Sequence, residues 1–123
     1  MGEQNNRGDV RKRCYAFSLA IIALVDTLPQ KRSSWVISDQ LIRSGTSIGA
    51  NLVEARASSS RLEFKKFYEI ALKSANETKY WLDLLRDSGL STSDRTDSLS
   101  KEVVELANMI AGAVITLKGK RAF

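Results

Sequence analysis

The sequence predicts an all-α fold: an antiparallel up-down-up-down four-helix bundle forming a single domain over residues 1–123. Three observations carry that prediction. Apolar residues recur every three or four positions in four long segments. Only a few residues separate successive segments, which makes sequential helices antiparallel neighbours. No stretch alternates as a half-buried strand would. With 123 residues, 43% of them hydrophobic and 27% charged, the chain can close one core and is too short to divide into two.

In the first segment Val10, Cys14, Phe17, Ile21, Leu24 and Leu28 share one face until Pro29 ends the run. Leu19, Ile22 and Val25 widen that face. A helix this apolar is either central in its bundle or covered by another subunit. The second segment runs from about Ser34 to Ala57, with Leu41, Ile48, Leu52 and Ala55 at helical spacing. The third opens on the capping box Ser60-Arg61-Leu62-Glu63, continues through Phe64, Phe67, Ala71, Ala75, Thr78, Leu82 and Leu85, and stops at Gly89. The fourth begins near the cap-rich stretch STSDRTDS and runs through Leu99, Val103, Leu106, Ile110, Val114 and Leu117 to Gly119.

The stretch RSGTSIGANLVEA, residues 43–55, has the look of a phosphate-binding loop. A Walker-type loop would need lysine and then serine or threonine after the second glycine, whereas Ala50-Asn51 follow Gly49. A dinucleotide fingerprint would need a preceding strand, and the helical stripe passes straight through both glycines. The stretch therefore reads as helix. Each interior glycine costs about 1 kcal/mol relative to alanine. Gly45 and Gly49, with Ser44, Ser47 and Ala50, supply either a narrow contact with a neighbouring helix or a local bend.

Composition excludes several chemistries. Histidine is absent, so Ser-His-Asp, Cys-His and histidine-based metal sites cannot form within one chain. The single cysteine, Cys14, cannot form an internal disulfide and is expected to be a buried, inert thiol in a reducing compartment. The RKR at residues 11–13 followed by an apolar run imitates a secretory signal. No small-x-small cleavage site follows, and about 12 apolar residues fall short of the roughly 18 that a membrane span needs. The expectation is an intact cytoplasmic chain without a membrane span.

Residues 39–85 carry a more specific pattern: Gln40, Arg43, Ser47-Ile48, Asn51, Glu54-Ala55, Ser60, Glu63-Phe64, Ala71, Ser74, Glu77 and Leu82. This pattern is similar to that of the four-helix bundle proteins first noticed as open reading frames in intervening sequences of large-subunit ribosomal RNA genes. The resemblance implies a compact bundle, commonly a ring of five subunits, with no known catalytic activity and no cofactor. It also implies kinship with the accessory protein of diversity-generating retroelements, a basic pentameric bundle that binds nucleic acid. One departure is the stretch PQKRSSW before the second helix, where the family often has a more acidic loop.

Gln40, Ser44, Ser47, Asn51 and Glu54 form a polar stripe beside the apolar one, and Glu77 could meet it from the third helix. Two facing carboxylates suggest acid–base work or a metal pair, but the helical di-metal site needs Glu-x-x-His motifs. The expected role is structural: a network of Gln40, Arg43, Asn51, Glu54 and Glu77, with Arg43 as its cation, that fixes helix register or subunit contacts.

In an antiparallel bundle the start of helix one, the turn between helices two and three, and the end of helix four share one pole. That pole collects Arg7, Arg11, Lys12, Arg13, Arg56, Arg61, Lys65, Lys66, Lys118, Lys120 and Arg121 against Glu3, Asp9, Glu54 and Glu63. A cyclic homo-oligomer would repeat this asymmetry as one positive face, for which the natural counterpart is the phosphate backbone of RNA or DNA. Tyr15, Tyr68, Tyr80, Trp35 and Trp81 are scattered, and several are expected to pack inside. Binding is thus expected to be electrostatic and weakly sequence-selective. The alternative is a protein-interaction scaffold whose basic rim only aids solubility.

Overall fold

The computed structural model of the chain describes the backbone of residues 2–121 and the side chains of residues 10–92 and 94–117. It is all-α, with helices α1 (Gly2–Val25), α2 (Arg32–Arg56), α3 (Arg61–Asp87) and α4 (Ser93–Arg121), and no strand among the described residues. Helix α2 packs against α1 and α3, and α4 packs against α3 and α1, so each helix has two neighbours around one core.

The expected stripes form that core. Val10, Cys14, Phe17, Ile21, Leu24 and Leu28 meet Leu41, Ile48 and Leu52 from α2, Ala71, Ala75, Leu82 and Leu85 from α3, and Val103, Leu106 and Ile110 from α4. Burying side chains of this size stabilises each by about 1.5–3 kcal/mol relative to exposure, before the entropy of ordering them is counted.

Local chemistry sets the helix ends. Ser60 caps α3 by accepting the Glu63 N–H at 3.1 Å. The Glu63 carboxylate reaches back to the Ser59 N–H at 3.0 Å, one residue beyond the reciprocal partner of the usual capping box. At the other end Gly89 takes φ +78°, the left-handed conformation that glycine adopts without a Cβ penalty. There the Gly89 N–H donates to Arg86 O and the Leu90 N–H to Leu85 O, closing a Schellman motif with Leu90 packed on the core. Two boundaries differ from expectation. Helix α2 begins at Arg32 with no side-chain cap from Lys31, and α4 continues past Gly119 to Arg121.

The glycines of α2 answer a packing demand. A Cβ at Gly49 would lie 3.2 Å from Cys14 Cβ and 3.7 Å from Cys14 carbonyl carbon, and one at Gly45 would lie 3.2 Å from Ile21 Cγ1. Because Cys14 Cβ is bonded directly to the α1 backbone, it can yield only if the helix moves. Gly49→Ala is therefore expected to lower the melting temperature despite the gain of about 1 kcal/mol in helix propensity, since overpacking costs about 1–3 kcal/mol. Gly112 in α4 is exposed and has nothing within 4 Å of its Cβ position. Gly112→Ala is expected to raise stability by about 0.5–1 kcal/mol in the same thermal melts.

Candidate nucleic-acid interface

The α2–α3 connection is built to hold cations outward. Ala57 and Ser58 close the end of α2 through N–H bonds to Glu54 O and Ala55 O, and the Ser58 hydroxyl donates to Ala55 O at 2.6 Å. Ser60 then starts α3, so only a short tight segment separates the two helices. Arg56 ends α2, Arg61 begins α3 and Lys66 follows on its second turn. All three are exposed and none makes an ion pair or side-chain hydrogen bond among the described residues. Lys12 is likewise exposed and Arg11 half-exposed on α1, without a partner among those residues.

Two of the expected phosphate ligands are already engaged. Arg13 donates through Nε and Nη2 to the two carboxylate oxygens of Glu102 at 3.0 and 2.7 Å, and through Nη2 to Glu105 at 2.8 Å. These charge-assisted bonds raise the guanidinium pKa further above its usual value. Lys65 is buried and its ammonium lies 3.3 Å from the Glu69 carboxylate one turn on. Partners 89 and 92 residues away could not be read from the RKR motif itself. The side chains of Arg7, Lys118, Lys120 and Arg121 lie outside the described residues.

The polar stripe assembles differently from the expected network. Its bonded members are small. Asn51 Nδ2 donates to Ser47 O at 2.8 Å and Ser47 Oγ at 2.9 Å, and Ser74 of α3 donates to Ser47 Oγ at 3.0 Å. Buried Thr78 lies 2.9 Å from Ser44 Oγ and donates to Ser74 O at 2.7 Å. Gln40, Arg43 and Glu54 make no side-chain bond among the described residues, and Arg43 and Glu54 are exposed. Glu77 accepts the Trp81 indole N–H at 2.9 Å on its own helix instead of crossing to α2. The reason is the helix spacing: a seam this close admits hydroxyls but not long charged side chains, whose desolvation would go uncompensated. Of the five expected network residues, only Asn51 takes part.

The aromatic side chains also depart from expectation. Tyr15, Trp35 and Tyr80 are exposed, and Tyr68 and Trp81 are half-buried. Phe64 stacks on Tyr68 with ring centroids 4.7 Å apart, beside the basic turn. No group of three His, Cys, Asp or Glu residues that could hold a metal ion is present among the described residues. No helix among those residues is long and apolar enough to cross a membrane.

Cys14 is fully buried, and burial pushes its thiol up to about 12, with the nearby Glu102 charge acting in the same direction and Arg13 opposing it. Between the ordinary thiol value and that raised one, the unfolded chain releases a proton that the folded chain keeps. The thiol's contribution to stability is therefore present below about pH 9 and is lost as pH rises toward 12. Cys14 is expected to resist an aromatic disulfide reagent at pH 8 and to react fully once the protein is unfolded in denaturant. Rapid labelling of the folded protein would contradict that burial.

The signature residues of α2 and α3 thus divide between the buried core (Ile48, Ala55, Ala71 and Leu82), the hydroxyl seam (Ser47, Asn51 and Ser74) and the turn that starts α3 (Ser60 and Glu63), with Arg43, Glu54 and Glu77 exposed. The family model for the 23S rRNA-intervening sequence protein matches residues 6–112, covering most of all four helices. The chain belongs to that family. The chain is also similar to a solved protein of unknown function from the S23 ribosomal protein family of Bacteroides thetaiotaomicron. The two share 36% identity over 85% of this chain and 97% of that one, with a TM-score of 0.81. Among curated proteins none matches it.

Proposed function

We propose that this protein is a non-catalytic, cyclic homo-oligomer of antiparallel up-down-up-down bundles that binds RNA or DNA electrostatically through one basic pole. The observation that carries this reading is the cluster of outward, unpartnered cations Arg56, Arg61 and Lys66 around one tight turn, with Lys12 on α1. The order of the interhelix contacts supports the common pole. Gly49 meets Cys14 where Gly45 meets Ile21, and Ser44 and Ser47 meet Thr78 and Ser74, so residue numbers rise on one helix as they fall on the next. The pentamer is the assembly that the family resemblance implies, and a ring would multiply the positive pole. The family's description also sets these proteins in a ribosomal RNA context.

Titration of fluorescent single-stranded RNA and DNA oligonucleotides at several salt concentrations tests the reading. Affinity should fall steeply with salt and differ little between sequences. Binding that is absent at low salt, or insensitive to salt, would exclude it. A protein-interaction scaffold is the second reading, favoured by the exposed apolar residues Tyr15, Leu19 and Ile22 on α1.

A further inference from the structure

Lys73 on α3 lacks the partners that its spacing offers. Glu69 and Glu77 stand four residues before and after it, about 40° to either side around the helix, where an ion pair normally forms. Neither takes it. The Glu69 carboxylate lies 3.3 Å from the Lys65 ammonium, and Glu77 accepts the Trp81 indole N–H at 2.9 Å, so each acid is drawn farther round the helix from Lys73. Lys73 is exposed and makes no ion pair or hydrogen bond among the described residues. The acids on the later turns of α3 are engaged as well, Asp83 by Lys79 at 2.6 Å and Asp87 by Arg86 at 2.9 Å.

The same outward strip carries Lys66 and Tyr80, seven residues to either side of Lys73, because seven residues fall within about 20° of two full turns. Lys66 joins the strip to the basic turn. At the far end Tyr80 is 59% exposed, and its ring meets the Trp81 ring in a T-shaped contact with centroids 5.0 Å apart. Trp81 is packed on the core and held by Glu77, so Tyr80 is braced without being covered.

We propose that a single strand of nucleic acid leaves the basic turn and runs along the outer face of α3, with phosphates on Lys66 and Lys73 and an unpaired base stacked on Tyr80. This rests on the nucleic-acid reading above and specifies its substrate, an unpaired strand rather than a duplex. Free cations in line with an exposed aromatic ring form the combination that single strands bind: the backbone follows the charge and a base takes the ring. A duplex offers the same phosphates, but its base faces are closed by stacking on one another, so Tyr80 would gain nothing from it. The strip from Lys66 to Tyr80 is about 21 Å long at 1.5 Å per residue, room for several nucleotides. The braced ring also loses little freedom when a base covers it, which favours stacking there.

Fluorescence anisotropy on the full chain, with unstructured RNA and DNA oligonucleotides and duplexes of equal length, tests this at several salt concentrations. Single strands should bind more tightly than duplexes. Tyr80→Leu should weaken single-strand binding roughly 10-fold with unchanged salt slope, duplex binding and helical circular dichroism, whereas Tyr80→Phe, which keeps the ring, should bind as wild type. Lys73→Gln should lower the salt slope by about one ion equivalent. Single strands carrying 5-bromouracil should photocrosslink to Tyr80, as located by peptide mass spectrometry. A protein that binds none of these probes at low salt would overturn the nucleic-acid reading and this path with it. Salt-dependent binding that Tyr80→Leu and Lys73→Gln leave unchanged would overturn the path and leave the basic turn standing. So would duplex binding as tight as that of single strands, or crosslinks that miss Tyr80.

Discussion

Leu82→Ala is expected to destabilise the protein by about 2–5 kcal/mol, a large fraction of the roughly 5–15 kcal/mol that holds a domain of this size folded. Leu82 is fully buried on α3, between Thr78 and Leu85 on the same stripe. Its neighbours cannot collapse into the space left behind. Thr78 is held by bonds to Ser44 and Ser74, and α2 is pinned against α1 by the glycine contacts. The cavity should therefore stay largely open, which places the cost toward the upper part of that range. Urea unfolding followed by circular dichroism measures it, and a change below about 1 kcal/mol would show that this core repacks freely.

Reversing Arg56, Arg61 and Lys66 to glutamate together is expected to weaken nucleic-acid binding roughly 100-fold or more at low salt and to flatten its salt dependence by about three ion equivalents. Each of these cations is exposed and unpartnered among the described residues, so its removal strands no internal carboxylate. Stability should change little. The contrasting variant is Arg13→Glu. It sets a third carboxylate against Glu102 and Glu105 and should act mainly on stability, because Arg13 is held by those residues. If the triple reversal leaves affinity unchanged, the basic turn is a solvated rim.

The four helices are legible in the sequence because their signals are short-range. The stripe from Val10 to Leu28, the Ser60 cap and the Gly89 stop each depend on residues within a few turns, and each appears as expected. The candidate site is harder to read. The turn cations Arg56, Arg61 and Lys66 lie where the sequence places them, whereas Lys65, one residue before Lys66, turns inward beside Glu69. Its i,i+4 carboxylate is visible in the sequence, but the burial of Lys65 is not. Read by charge, the polar stripe assigns to Arg43, Glu54 and Glu77 roles that the hydroxyls of Ser44, Ser47, Ser74 and Thr78 fill. Small side chains at core-facing positions are the signal that points to those hydroxyls.

Sequence alone determined the all-α class, the four helical segments, the buried faces and the exclusion of histidine chemistry, since periodicity and composition belong to the chain before it folds. Tertiary structure decided which arginines and lysines stay free, which polar residues bond across α2 and α3, and that α1 keeps an uncovered apolar strip. The physical reason is register. Whether Arg13 meets Glu102, or Cys14 meets Gly49, depends on how far one helix slides along another, a distance set by packing of the whole core and by no local run of residues.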